Sequence, residues 1–199
     1  MNTTKTILAR VAACAALAFA ASSALAAPTP VLTVVQSTDY GLLALPVSEG
    51  FGLNVAATAP NDTFLSDYGF SIGTTGSFTA ATVTVDLGNV FQINNLTLTL
   101  LQGQAWSGAT PSDLTPAQVA DRASRIIVTG SGMPAAQTID DLTLSPGVYT
   151  LEISGNATGT NGGSFGGLLN VAAVPEPTGL AMMLAGFGLL AAKRRRARR

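Results

Sequence analysis

One-by-one alternation of apolar and polar residues constrains this chain more than any other feature in it. Leu96-Thr97-Leu98-Thr99-Leu100 and Thr82-Val83-Thr84-Val85-Asp86-Leu87 both repeat with period two. A strand sends successive side chains to opposite faces, so each run reads as a strand with one buried and one wet side. In the second run this puts the valines on the buried face and Thr/Asp on the wet one. Gly88-Asn89 between the runs suggests a hairpin. Further strands are expected at residues 31–35, 51–55, 125–129, 148–154 and 165–171, with Tyr149, Leu151 and Ile153 sharing a face and Pro146-Gly147 marking a turn. Roughly seven to nine short strands with Gly/Asn/Pro turns point to an all-β fold, an antiparallel β-sandwich or jelly roll.

The two ends of the chain do not belong to that fold. Lys5 and Arg10 precede an apolar run over residues 11–21, and Ala24-Leu25-Ala26 has the small-x-small form of a signal-peptidase site, with cutting after Ala26 and Ala27 as the new first residue. At the other end Pro175-Glu176-Pro177 precedes a charge-free apolar run to Ala192. Lys193, Arg194, Arg195, Arg196, Arg198 and Arg199 follow. As a helix, residues 177–192 span ~24 Å, short of a ~30 Å bilayer core, and the basic side chains snorkel to make up part of the difference. The Lys/Arg excess stays cytoplasmic, which places the preceding domain outside. The chain thus divides into a signal peptide (1–26), a β-domain (27–174) and a C-terminal transmembrane segment (175–199).

Removing the ends changes the charge balance. The whole chain has 10 Lys+Arg and 11 Asp+Glu, but the middle keeps only Arg122 and Arg125 against ten acids and stands near −8. Such a domain repels nucleic acid. The single cysteine is Cys14, in the signal peptide, so disulfides and thiolate chemistry are excluded from the domain.

The tail carries a family resemblance. The Pro175-Glu176-Pro177 tripeptide, apolar run and arginine cluster, in that order, resemble the sorting signal of PEP-CTERM proteins. These are exported proteins of Gram-negative, exopolysaccharide-producing bacteria. The resemblance implies passage through the inner membrane, cleavage by signal peptidase and exosortase, and a mature form at the cell surface or outside the cell. A second resemblance lies in Leu144-Ser145-Pro146-Gly147-Val148-Tyr149-Thr150-Leu151-Glu152-Ile153-Ser154-Gly155, similar to the closing hairpin of many such proteins. Residues 64–70 resemble the signature of the FxDxF-type subgroup.

Residues 102–124 break the β pattern. Thr115-Pro116-Ala117-Gln118 is a capping box with proline at the first helical position, which predicts a short helix over residues 116–123. This long connection holds the only tryptophan, Trp106, and both domain arginines, and it reads as a surface excursion capping one end of the sandwich.

Little catalytic chemistry is available. There is no histidine in the chain and no lysine in the domain, which excludes Ser-His-Asp, histidine-zinc and Schiff-base schemes. The glycine-rich residues 155–167 have no following helix or lysine and read as a flexible hairpin loop rather than a phosphate cradle. No catalytic residue and no cofactor are expected. Carboxylates remain: Asp62, Asp67, Asp86, Asp113, Asp121, Asp140 and Asp141 are the pool for an acid-pair glycoside hydrolase. Calcium wants six to eight oxygens, and Asn61, Asp62 and Asp67 read as one loop with Asp140-Asp141 as another; solubilising turn acids are the alternative. The resemblance to PEP-CTERM proteins implies a structural or adhesive role in an exopolysaccharide matrix, and no enzymatic activity is expected. A Ca2+- or carbohydrate-binding surface module is the alternative.

Overall fold

The structure, a computed structural model, describes residues 30–59, 62–174, 182–187 and 193–194. The chain divides into two units, Met1–Pro30 and Val31–Arg199. The expected signal-peptidase residues Ala24, Ala26 and Ala27 lie in the first, outside the described residues. Pro175, Glu176, Pro177, Arg195, Arg196, Arg198 and Arg199 of the tail also lie outside the described residues. Residues 182–187 and 193–194 are helical. Among the described residues no helix is long and apolar enough to cross a membrane.

In chain order the elements are β1 (Leu32–Leu43), β2 (Val47–Val55), β3 (Thr63–Ile72), β4 (Gly76–Val85), β5 (Ile93–Gln102), β6 (Ser112–Asp113), α1 (Pro116–Ser124), β7 (Ile126–Thr129), β8 (Ser131–Met133), β9 (Ala136–Leu144), β10 (Gly147–Ala157) and β11 (Gly163–Ala173). Two open sheets face each other. The first has the order β6-β1-β3-β10-β5-β7 and the second β2-β11-β4-β9-β8. The inner faces bury one apolar cluster, which includes Phe64, Phe70, Phe78, Leu98, Leu151, Ile153, Phe165 and Leu169. Parallel-stacked rings bridge the sheets: Phe64 to Phe165 with centroids 5.8 Å apart, and Phe70 to Phe78 at 5.6 Å. Burying such side chains stabilises the fold by about 1.5–3 kcal/mol each.

The β-sandwich expectation holds, with four corrections. The first sheet is mixed, because β1 and β3 run parallel. The chain leaves β1, crosses to the second sheet as β2 and returns, so β3 arrives in the direction of β1.

The second correction concerns hairpins. β4 and β5 lie in different sheets, so Gly88-Asn89 makes an arch and not a hairpin. The Gly88 N–H donates to Asp86 Oδ1 at 2.8 Å and Gly88 adopts φ 62°, a turn sealed by an Asp side chain. The Pro146-Gly147 turn likewise passes between sheets, from β9 to β10. There the Tyr149 hydroxyl donates to the Ser145 carbonyl at 2.7 Å, a hydroxyl-to-backbone tie of the tyrosine-corner kind. Residues 144–155 therefore do not close a hairpin. β10 pairs with β3 and β5, while β11 pairs with β2 and β4.

Third, the alternation in β4 has the opposite phase from that expected. Val83 and Val85 are 53% and 45% exposed, whereas Thr82 is 1% exposed. The strand begins at Gly76, so Phe78 and Ala80 set the inward phase and Thr82 inherits it; its hydroxyl is held by the Gly166 carbonyl at 3.3 Å.

Fourth, the glycines of residues 155–167 are packing devices and not a flexible loop. Gly162 sits at φ 89°, and a Cβ there would lie 1.9 Å from the Val55 carbonyl oxygen. One on Gly167 would meet the Phe51 ring at 2.4 Å. Only glycine allows these close backbone approaches.

Candidate functional site

β3 is the strand on which a site is built. It lies between β1 and β10, and nearly every residue in it is buried. Phe64, Tyr68 and Phe70 face the core. Leu65, Asp67, Gly69 and Ser71 face outward, yet Leu65 and Asp67 are 2% and 0% exposed. The cover is the connection from β5 to β7, including α1.

A row across the outer face explains how the cover is held. Ser37 of β1, Asp67 of β3, Glu152 of β10 and Thr99 of β5 stand opposite one another in register. Directly opposed like charges repel, and here both carboxylates are removed from water. Arg122, in the last turn of α1, resolves the conflict. Its Nη2 donates to Asp67 Oδ1 at 2.5 Å and to Glu152 Oε2, and its Nε donates to the same Glu152 oxygen at 2.8 Å. Burial pulls the guanidinium pKa down, but the hydrogen bonds and charges of Asp67 and Glu152 outweigh it, and the net direction is up. Burial pushes the Glu152 carboxyl pKa up, as does the charge of Asp67, against the lowering effect of Arg122.

The local sequence puts Arg122 there. Thr115 caps α1 as expected: its hydroxyl accepts from the Gln118 N–H and the Gln118 side chain accepts from the Thr115 N–H, with Pro116 in the first turn. Arg125, at the helix end, donates to the carbonyls of Gln102 and Gln104, both at 3.3 Å. It also lies 3.1 Å from Asp121. Both arginines of the β-domain thus fasten one connection.

The clamp fixes Trp106. Its backbone N–H donates to Asp67 Oδ2 at 3.2 Å, and its carbonyl accepts from the Ser37 hydroxyl at 2.5 Å. Its indole N–H donates to the Ala109 carbonyl at 3.3 Å. Gly108 lies against the ring, where a Cβ would come within 2.6 Å. Beside Trp106 opens a cleft of about 390 Å³ lined by Ser37, Asp39, Gly69, Ser71, Gln104 and Ser107, among others. Its floor is open because Gly69 and Gly41 carry no side chain. A second groove of about 420 Å³ lies at the far end of the sandwich, where Val55, Ala59, Asp62, Phe64 and Pro111 are among its lining.

The structure disperses the remaining acids proposed from sequence. Asp62 and Asp67 do not share a loop: β3 starts at Thr63, so Asp67 is well inside a strand. Asp62 Oδ1 accepts from the Val31 N–H at 3.0 Å, and Asp113 accepts from the Thr33 hydroxyl at 2.6 Å. Asp140 accepts from the Thr138 hydroxyl at 3.2 Å within β9, and Asp141 adopts φ 47° at an irregularity of that strand. Among the described residues no three Asp, Glu, His or Cys side chains converge as metal ligands. The two acids brought together, Asp67 and Glu152, have Arg122 wedged between them. Glu152 and Arg122 were missed as site residues. Their signal was the one charged residue of an otherwise uncharged strand and one of only two cations in a lysine-free domain.

The molecule is therefore a β-sandwich with one clamped outer face, whose last strand runs directly into an apolar, basic tail. Residues 173–199 of that tail match the family model described as the PEP-CTERM protein-sorting motif. The chain carries the signal of a PEP-CTERM sorting-signal protein, and the motif implies export and processing by an exosortase. The match does not extend to residues 64–70. No curated protein matches the chain. Among solved structures, the chain is similar to the pre-peptidase C-terminal domain of collagenase from Bacillus anthracis, at 12% identity and TM-score 0.38, over 68% of this chain and 95% of that one. It is also similar to PliG of Aeromonas hydrophila, a periplasmic inhibitor of g-type lysozyme, at 12% identity and TM-score 0.36, over 69% and 99%.

Proposed function

We propose that the protein is delivered to the cell surface or extracellular matrix by an exosortase-type system and serves there as a structural or adhesive domain. It acts as a folded body and not as an enzyme. The observation that carries the reading is the junction of domain and tail. β11, flanked by β2 and β4, continues to Ala173, and the Val174 N–H donates to the Thr75 carbonyl at 3.2 Å. The sorting motif starts at residue 173. The motif match thus begins at the last residue of the sandwich's last strand, and what the signal delivers is the whole β-domain. The clamped acid pair supports a non-catalytic role, since neither carboxylate is free to exchange a proton with a substrate.

Intact-mass measurement of the protein from the cell exterior tests this, in the producing strain and in one lacking exosortase. The expected mass begins at Ala27 and ends near Pro175, with the tail retained in the deficient strain. A mass that includes Arg199 in both strains overturns sorting by cleavage and makes the tail a permanent anchor.

A further inference from the structure

We propose that the Trp106 cleft is a binding site for an uncharged saccharide. The inference deepens the adhesive reading for the ligand's source, but its chemistry stands on the cleft alone.

Three properties of the cleft select this class of ligand. Its volume, about 390 Å³, falls within the ~300–1,000 Å³ usual for small-molecule sites. Its polar lining is made of hydroxyls, an amide and one carboxylate, from Ser37, Ser71, Ser107, Gln104 and Asp39, and the Trp106 indole lies beside apolar Phe70, Ala105 and Val148. A sugar ring presents hydroxyls at its rim and a C–H face that packs on an aromatic ring, and this set answers both. No Lys, Arg, His or Cys is among the lining, so nothing there neutralises a phosphate, sulfate or uronate, and Asp39 repels them. The domain's net charge, near −8 by sequence, acts in the same direction.

The site is also pre-organised, which lowers the cost of ordering side chains on binding. Trp106 is held through its peptide by Asp67, itself fully buried, and by Ser37; Gly108 and the Ala109 carbonyl fix the ring. Thr150 of β10 donates to the Gly103 carbonyl at 2.9 Å and secures the start of the same segment. Asp39 Oδ1 accepts from the Gly41 N–H at 2.8 Å, which leaves Oδ2 to receive a sugar hydroxyl. Asp39 and Gly69 stand opposite each other in register and both line the cleft. A side chain at Gly69 would meet Ala105 Cβ at 3.0 Å, so glycine keeps both the cover close and the cleft open.

The chain has one tryptophan, so its emission reports the surroundings of Trp106, which lines this cleft and a smaller pocket beside Arg122 and Arg125. The test is a fluorescence titration of the full chain in detergent micelles, which does not depend on sorting. The probes are cellotetraose, laminaritetraose and maltotetraose, with tetragalacturonate as the anionic control. A saturable emission change is expected with at least one neutral probe, and binding at least tenfold weaker for the control. Retention on the corresponding immobilised glucan should be lost in Trp106→Ala, whose backbone ties to Asp67 and Ser37 remain. Asp39→Asn keeps an oxygen for the Gly41 N–H and should weaken binding about tenfold, the scale of one charge-assisted hydrogen bond. Thermal unfolding of both variants checks that they fold. No saturable change with any neutral probe, equal affinity for tetragalacturonate, or unchanged retention in a folded Trp106→Ala overturns the proposal. If binding holds while the mass measurement shows an uncleaved tail, the site stands and only the route of delivery is wrong.

Discussion

The outer faces of the two sheets are built from similar strands and end in opposite states. On the second sheet the face is bare: Val83, Leu168 and Met133 are exposed, amid Ser48, Gly50, Gly52 and Asn54. On the first sheet the connection carrying α1 is laid over the centre, and Asp67 is sealed beneath it. The difference comes down to an anchor. A loop packed on a flat sheet needs something to hold it, and here the anchor is Arg122 between Asp67 and Glu152. Replacing a buried ion pair by apolar groups is often neutral or stabilising, whereas removing one partner is costly. The clamp therefore fixes the position of the cover more than it adds to total stability.

The sharpest way to break the contrast is to remove the anchor. Arg122→Ala leaves two facing carboxylates without a cation, and unfolding in denaturant should show a loss of about 3–5 kcal/mol. Trp106 emission should shift to the red as the cover lifts. Retained blue emission would mean that apolar packing alone holds the cover. A second substitution tests the charge balance. The Glu152 pKa is raised above its reference of 4.5, so the folded state holds the proton more tightly than the unfolded one. Its contribution to stability is fully present below about pH 4.5 and is lost as pH rises through the folded-state value. The stability of Glu152→Gln relative to the parent, followed by thermal unfolding across pH, should be most favourable at neutral pH and fall as pH drops to about 4.5. An advantage that grows on acidification would reverse the assignment. Thr115→Ala should cost about 1 kcal/mol through the lost cap of α1, measurable in the same denaturant experiment. On the bare face, Val83→Ser should change stability by no more than about 0.5 kcal/mol. A loss of 2 kcal/mol there would show that this face, too, is covered.

The same contrast explains what could be read in the sequence. β5 and β10 were legible because one face of each is dominated by core Leu, Ile and Tyr residues, so Leu96, Leu98 and Leu100 alternate with Asn or Thr. β3 was not, because both its faces are buried. Phe64-Leu65-Ser66-Asp67-Tyr68-Gly69-Phe70 has no period, and Asp67 was assigned to a loop. β4 was found, but its phase was inverted: an uncovered face tolerates valine, and Thr82 can be buried where a carbonyl receives its hydroxyl. α1 was legible to within a residue, since a capping box is local chemistry. The clamp was not. Asp67, Arg122 and Glu152 are separated by 55 and 30 positions along the chain, and no local pattern joins them. The parallel pairing of β1 with β3 was equally invisible, since it depends on the excursion through β2.

The position of β11 at the C-terminal end of the sandwich gives the molecule a mechanical character. A load applied at the C-terminal end of the β-domain enters β11, which is paired on both sides, so pulling on it must shear two ladders together. The Trp106 cleft belongs to the opposite sheet. A force between the cleft and any attachment at the C-terminal end of the domain would therefore cross the aromatic core, where Phe70 stacks on Phe78, before it reached β11. The domain is wired in series, as a fitting that carries tension would be.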